Sequence, residues 1–327
     1  MKGWNLYFAS ASPDGGVYHY RLDGDGALRF AEKTELDRPM YLAAENGRLY
    51  ALMRGRTIPG TDDLHSQLIT CPLDADGRLG AWSEPVPTRG ECACHLEVEN
   101  GVVYAVNYLS GSVIRMPDTL VTHEGHGPNP DRQEAPHTHF VKRTPEGKYL
   151  FVVDLGLDTI FTYDRALHEV SRAQVPAGAG CRHLAYSEDG KTVFCVNEMA
   201  SSVSVFAYCD GRLTLRETVP ALPADFSGAS TAAAIRVAGD QLYVSNRGHD
   251  SITRFRIDGG SLTRLDWTPC GGQSPRDFAV FGDWMFCTNE YTDNVTVFRL
   301  ENGKPVQTPT ELHMTHPLCV IGVPVEG

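Results

Sequence analysis

The sequence predicts an all-β chain: a seven-bladed β-propeller, one domain over residues 1–327, its last blade closed by N- and C-terminal strands together. Three observations predict this. One strand–turn–strand motif recurs along the chain at near-constant spacing. No segment holds a 3.6-residue apolar period over more than two turns. The two chain ends supply complementary parts of one further copy of the motif.

The clearest copies are HTHFVKRTPEGKYLFVVDLGLDTIFTYD from His137, CRHLAYSEDGKTVFCVNEMASSVSVFAY from Cys181, TAAAIRVAGDQLYVSNRGHDSITRFRID from Thr231 and PRDFAVFGDWMFCTNEYTDNVTVFRL from Pro275. Looser copies start at Arg38 and Cys94. Aligned, they put Tyr41, His95, His139, His183, Ala233, Asp277 and Cys319 at one first-strand position, 42 to 54 residues apart. That spacing is the length of a four-stranded blade. Pro145-Glu146-Gly147, Glu188-Asp189-Gly190 and Ala238-Gly239-Asp240 lie between apolar runs, where hairpins need turns. The tail HPLCVIGVPV is a first strand without partners, and the N-terminal WNLYFASASPDGGVYHYRLD supplies later strands without a first one. Joined, they close the ring and leave no open sheet edge. A β-sandwich would not produce one motif at a fixed period.

Composition fits such a fold: 42% hydrophobic and 21% charged residues give ample material for a core. A net charge of −12 argues against nucleic acid or an anionic membrane as main partner. It leaves room for a small anionic substrate in a locally basic pocket. The nine cysteines are odd in number and form no CxxC pair, so reduced thiols and a cytoplasmic location are expected. MKGWNLYFAS has no signal-peptide apolar core, and no 18-residue apolar run follows. The expected state is a monomer or homodimer.

In a propeller the first strand of each blade lines the channel and the second runs back beside it. Residues entering the first strand and leaving the second therefore share one mouth. The entries carry His95, His137, His139, Arg182, His183 and Arg276. The exits carry Asn107, Tyr108, Asp154, Asn197, Glu198, Asn246, Arg247, Asn289 and Glu290. The recurring asparagines and Asp154 read as turn-bonding residues. The arginines, paired histidines and Glu198 carry the chemistry, since a cation beside a carboxylate keeps it ionised or binds an anionic substrate. His137 and His139, at an i, i+2 spacing, share one side of a strand and can reach one ligand. A metal would need a third ligand, Glu198 or His95 being the candidates; the expectation is no metal and no cofactor. His123 and His126 lack HExxH spacing and read as loop residues. No G-x-S-x-G elbow, Walker A or zincin helix occurs, and Gly178-Ala179-Gly180 is half a dinucleotide fingerprint with no helix after it.

RQEAPHTHF, the GKYLFVVDLGLD run, CRHLAYSEDG with VNE, FSGASTAAAIRV, YVSNRGHDSI and PRDFAV together resemble the bacterial β-propeller lactonase family. That family groups propeller-type 6-phosphogluconolactonase with carboxy-cis,cis-muconate cyclase, and the resemblance spans essentially the whole chain. It implies a seven-bladed fold with lactone chemistry at the channel mouth. The family's proposed site matches His137 and His139, then Arg182 and Glu198, with Arg247 and Arg276 from SNRG and PRDF. Ala234 stands where a carboxylate is common and Glu290 where an amide is usual, which implies an altered pocket.

The expected activity is therefore that of a carboxylic ester hydrolase in carbohydrate metabolism. It would open 6-phospho-D-glucono-1,5-lactone to 6-phosphogluconate, a pentose phosphate pathway step. Glu198, His137, His139, Arg182 and Arg247 are the expected catalytic residues, and Arg276, His95, His183 and Glu290 the substrate contacts. Two alternatives stand beside it: cycloisomerisation of a carboxylated muconate, and a non-catalytic binding propeller. The repeated GH…WD signatures of WD-type propellers are absent.

Overall fold

A computed structural model describes residues 3–54 and 65–325. Its strands form seven four-stranded antiparallel sheets, each in simple meander order. Six blades follow one another along the chain, with innermost strands Pro39–Glu45, Ala93–Glu99, Thr138–Arg143, Cys181–Tyr186, Thr231–Ala238 and Pro275–Phe281. The seventh takes its innermost strand, Pro317–Pro324, from the C-terminus and its other three from the N-terminus. Phe8 pairs with Val320 and Trp4 with Pro324, so the ends are held by a full strand ladder. Among the described residues there is no helix, and none long and apolar enough to cross a membrane.

The sheets form as they do because both faces are covered. In the second strand of blade 3, Phe151 and Val153 pack toward blade 4, while Leu150 and Val152 pack toward blade 2. A strand buried on both faces reads as a continuous apolar run, and strict two-residue alternation then decides which neighbour each side chain meets. Each of the seven blade–blade interfaces has its own apolar cluster of this kind.

One irregularity recurs in every blade. The innermost strand bulges near its entry, and the extra residue is Met40, Cys94, His139, Arg182, Ala233, Arg276 or Leu318, Ala233 and Ala234 together facing Ser245 in blade 5. A bulge sets two residues against one on the partner strand and re-aims a side chain. This corrects the alignment drawn from sequence. Tyr41, His95, His183 and Asp277 are equivalent in register, but their counterparts in blades 3 and 5 are Phe140 and Ala234, not His139 and Ala233. His139 belongs instead with Cys94, Arg182 and Arg276, because the bulge offsets it by one residue.

Candidate active site

Four of the bulge residues line a cavity of about 310 Å³ at one mouth of the channel. Met40, Cys94, His139 and Arg276 come from strand entries, while Tyr108, Glu198 and Arg247 come from strand exits. Arg132 enters from the segment joining blades 2 and 3.

Glu198 is its electrostatic centre. Arg182 Nε and an Arg247 guanidinium nitrogen each lie 3.0 Å from Oε2, and Arg132 Nη2 donates to Oε1 at 2.7 Å. The Glu198 backbone is fixed as well: its N–H donates to Gly180 and its carbonyl accepts from Ala232. Burial by itself raises the acid, but Arg247 and Arg182 outweigh that and hold the carboxyl well below the usual range. A carboxylate so gripped is a poor proton acceptor and a strong organiser of cations. Arg182, 2% exposed, also donates through Nη1 to the Ala233 carbonyl and to His183 Nε2. These bonds lock its plane across blades 4 and 5.

His139 lies beside this cluster. Burial, then the Arg182 charge, lowers its pKa well below that of a free histidine, so it is neutral at neutral pH. Cys94 Sγ sits 3.9 Å from Nδ1, and Nε2 has no hydrogen-bond partner among the described residues. A proton on Nδ1 leaves the Nε2 lone pair for a water in the cavity.

The other expected site residues divide. Arg276 lines the cavity and approaches Glu290 at 3.4 Å. His137 lies outside the wall. Its ring stacks on Tyr108 at 4.6 Å, Nδ1 faces the Tyr108 carbonyl and Nε2 faces Glu134. The bulge at His139 breaks the i, i+2 alternation that would have put both histidines on one ligand. His95 and His183 lie beneath the floor, packed against Phe140 and each other, and Tyr41 covers His95. Arg236 and Asp277, the latter in register with His95 and His183, form a 2.6 Å ion pair.

The readings of lesser residues also resolve. Asn197 and Asn246 each bond two hydroxyls of the next strand, a structural role, although not with their own turn backbone. Asp154 does bond its turn, at Leu157 N, and also anchors His137 N at 2.7 Å. His123 is buried between Asp154 at 2.6 Å and the Tyr163 hydroxyl at 2.9 Å, whereas His126 is exposed. Ala234 packs between blades 5 and 6 and does not line the cavity. The expected residues did not include Met40, Arg54, Cys92, Cys94, Leu109, Arg132 and Thr231, which also line the cavity. Arg132 had one signal, its place in RQEAPHTHF just ahead of the histidines. Among the described residues no group of three or more His, Cys, Asp or Glu is disposed to hold a metal.

Comparison with known proteins agrees with this architecture. A family model described as lactonase, 7-bladed beta-propeller, matches residues 5–322. An uncharacterized protein of Staphylococcus epidermidis is 30% identical over 288 residues, 81% of this chain and 82% of that one. The periplasmic gluconolactonase of Pseudomonas aeruginosa superposes with a TM-score of 0.87 at 26% identity, covering 99% of this chain and 100% of that one. A Lactobacillus plantarum protein gives 0.88 at 27% identity, covering 98% and 99%. The chain belongs to the seven-bladed β-propeller lactonase family.

Proposed function

We propose that this protein hydrolyses a sugar δ-lactone bearing an anionic group, with 6-phosphoglucono-1,5-lactone as its substrate. One observation carries the reading: a neutral histidine, His139, lies beside three arginines held in place by one buried carboxylate. Lactone opening needs a base for water and cations for the oxyanion, and no covalent nucleophile.

In this reading His139 Nε2 takes a proton from water as its oxygen bonds to the lactone carbonyl carbon. The carbonyl oxygen becomes an oxyanion, stabilised by Arg132 and Arg247 at the cavity wall with Arg182 behind them. Collapse breaks the bond from carbonyl carbon to ring oxygen. His139 returns the proton to that oxygen, giving the open hydroxy acid. Glu198 orients the arginines rather than acting as base, and Arg276 binds the phosphate. His137, through its stack on Tyr108, and His95 and His183, beneath Arg182 and His139, position the groups above them.

The same cations would grip a polycarboxylate, which keeps muconate cycloisomerisation as the second reading. Purified protein should be assayed on phosphorylated and unphosphorylated lactones, with and without chelator, and on the muconate by ultraviolet absorbance. Hydrolysis of the phosphorylated lactone with the highest kcat/KM supports the proposal; turnover of the muconate alone overturns it. Nine free thiols support a cytoplasmic location.

A further inference from the structure

A second cavity, of about 300 Å³, adjoins the first on the same mouth, and Thr231 and Arg247 wall both. Its remaining wall includes Asp250, Gln273, Ser274 and Tyr291. Tyr291 is 70% exposed, yet its backbone is fixed by a bond from its N–H to the Gln273 carbonyl. An aromatic ring at the edge of a cavity lined by polar groups offers a flat apolar face to a ligand. The Gln273 amide and the hydroxyls of Thr231 and Ser274 make no side-chain hydrogen bond among the described residues. Asp250 uses Oδ1 for two backbone N–H groups, Gly248 and Ser274, and leaves Oδ2 unbonded there.

The two cavities differ in charge. The inner one presents Arg54, Arg132, Arg247 and Arg276 against Glu198, whereas the outer one has Arg247 and Asp250 as its charged residues. An anionic lactone belongs in the first. The second offers an aromatic face beside several free donors and acceptors at no net charge, which suits a neutral polyhydroxylated ring. Each cavity lies at the lower end of the ligand-site range of about 300–1,000 Å³. Joined at Thr231 and Arg247, they give about twice the space of either alone.

We infer that the outer cavity is a sugar subsite and that the protein accepts aldonolactones carrying a second, neutral glycosyl residue, with Tyr291 as the residue that selects for it. This rests on the lactone-hydrolase reading of the inner cavity. Arg247, on the shared wall, lies at the junction of the two sugar units.

The test compares maltobiono- and cellobiono-1,5-lactone with glucono-1,5-lactone, using full-length protein and the Y291A and Q273A variants. The wild-type KM for a disaccharide lactone should be lower by roughly tenfold, and Y291A should erase that advantage. Titration calorimetry with maltobionate and cellobionate against gluconate gives a readout free of catalysis. Tighter binding of a disaccharide acid, lost in Y291A, supports the subsite. Equal KM values together with equal binding of mono- and disaccharide acids overturn it, and the lactone reading then stands. If neither these lactones nor 6-phosphoglucono-1,5-lactone is hydrolysed, that reading fails and the calorimetry alone decides the subsite.

Discussion

Arg132 and Glu198 meet at 2.7 Å although 66 positions separate them. Glu198 leaves the second strand of blade 4, and Arg132 reaches it from the segment before blade 3. The pair converts an inter-blade connection into part of the cavity wall. It also completes a three-arginine clamp on one carboxylate.

Replacing Glu198 with Gln keeps the shape of that clamp and removes its charge. Arg182 and Arg247 then face each other without a counter-ion, so loss of the buried partner should cost about 3–5 kcal/mol of stability. Activity should fall by roughly 100-fold or more as the oxyanion cations lose their alignment. The acid limb of the pH–rate profile should nevertheless persist, because it belongs to His139. Disappearance of that limb in E198Q would make Glu198 the base instead.

His139→Asn should lower kcat by about 10²–10⁴ with little change in KM, as expected for loss of a proton acceptor. Burial and the Arg182 charge both disfavour its protonated form. The wild-type rate should therefore stay flat as pH falls through the ordinary histidine range near about 6.5. It should decline only at lower pH. A midpoint at or above that range would assign the limb to another group.

The fold was legible in sequence to the level of which ends share a blade, because a period of 42 to 54 residues and two half-motifs are one-dimensional signals. The mouth was legible for the same reason: strand entries and exits can be counted. The bulges were not, since one extra residue leaves no mark on the apolar pattern of a strand buried on both faces. That is why His139 was aligned with His95 and His183 rather than with Arg182 and Arg276. It is also why His137 was expected to share its ligand. Arg132 lies on a non-repeating connection, where counting across blades has nothing to compare.

Arg276 faces the cavity with Glu290 at 3.4 Å, so a substrate anion competes with that carboxylate for the same guanidinium. E290Q should lower KM for a phosphorylated lactone several-fold and leave the unphosphorylated one little changed. R276M should do the reverse, raising KM for the phosphorylated lactone by roughly tenfold, about 1.4 kcal/mol. Steady-state kinetics on both lactones for both variants reads this directly. Equal changes on the two substrates would remove phosphate from the role given to Arg276.

Ring closure rests on the N-terminal strand, in which Phe8 is fully buried against Phe286 of blade 6 and Tyr20 of its own blade. Phe8→Ala leaves a cavity at the junction that carries both chain ends. It should cost about 3–5 kcal/mol in urea denaturation. A loss below about 1 kcal/mol would mean that the terminal blade is not needed to hold the ring.

Acid should destabilise the protein before its carboxylates titrate. Burial holds His95 and His183 well below the usual histidine pKa, with Lys142 adding to the effect at His95 and Arg182 at His183. His139 is shifted the same way. Unfolded, these rings bind protons near about 6.5. Below that pH the unfolded state therefore holds more protons than the folded one, and stability falls with pH by up to about 1.4 kcal/mol per unit for each ring. Above it their contribution is fully present. Glu198, depressed by its arginines, adds a further loss only below the ordinary carboxylate range. Urea denaturation at pH 7.5, 6.5 and 5.5 should show the slope, and H183Q should flatten it by one ring's share whatever its effect on absolute stability. An unchanged slope in H183Q would mean that His183 carries a proton in the folded protein, which the Arg182 Nη1 hydrogen bond to its Nε2 argues against.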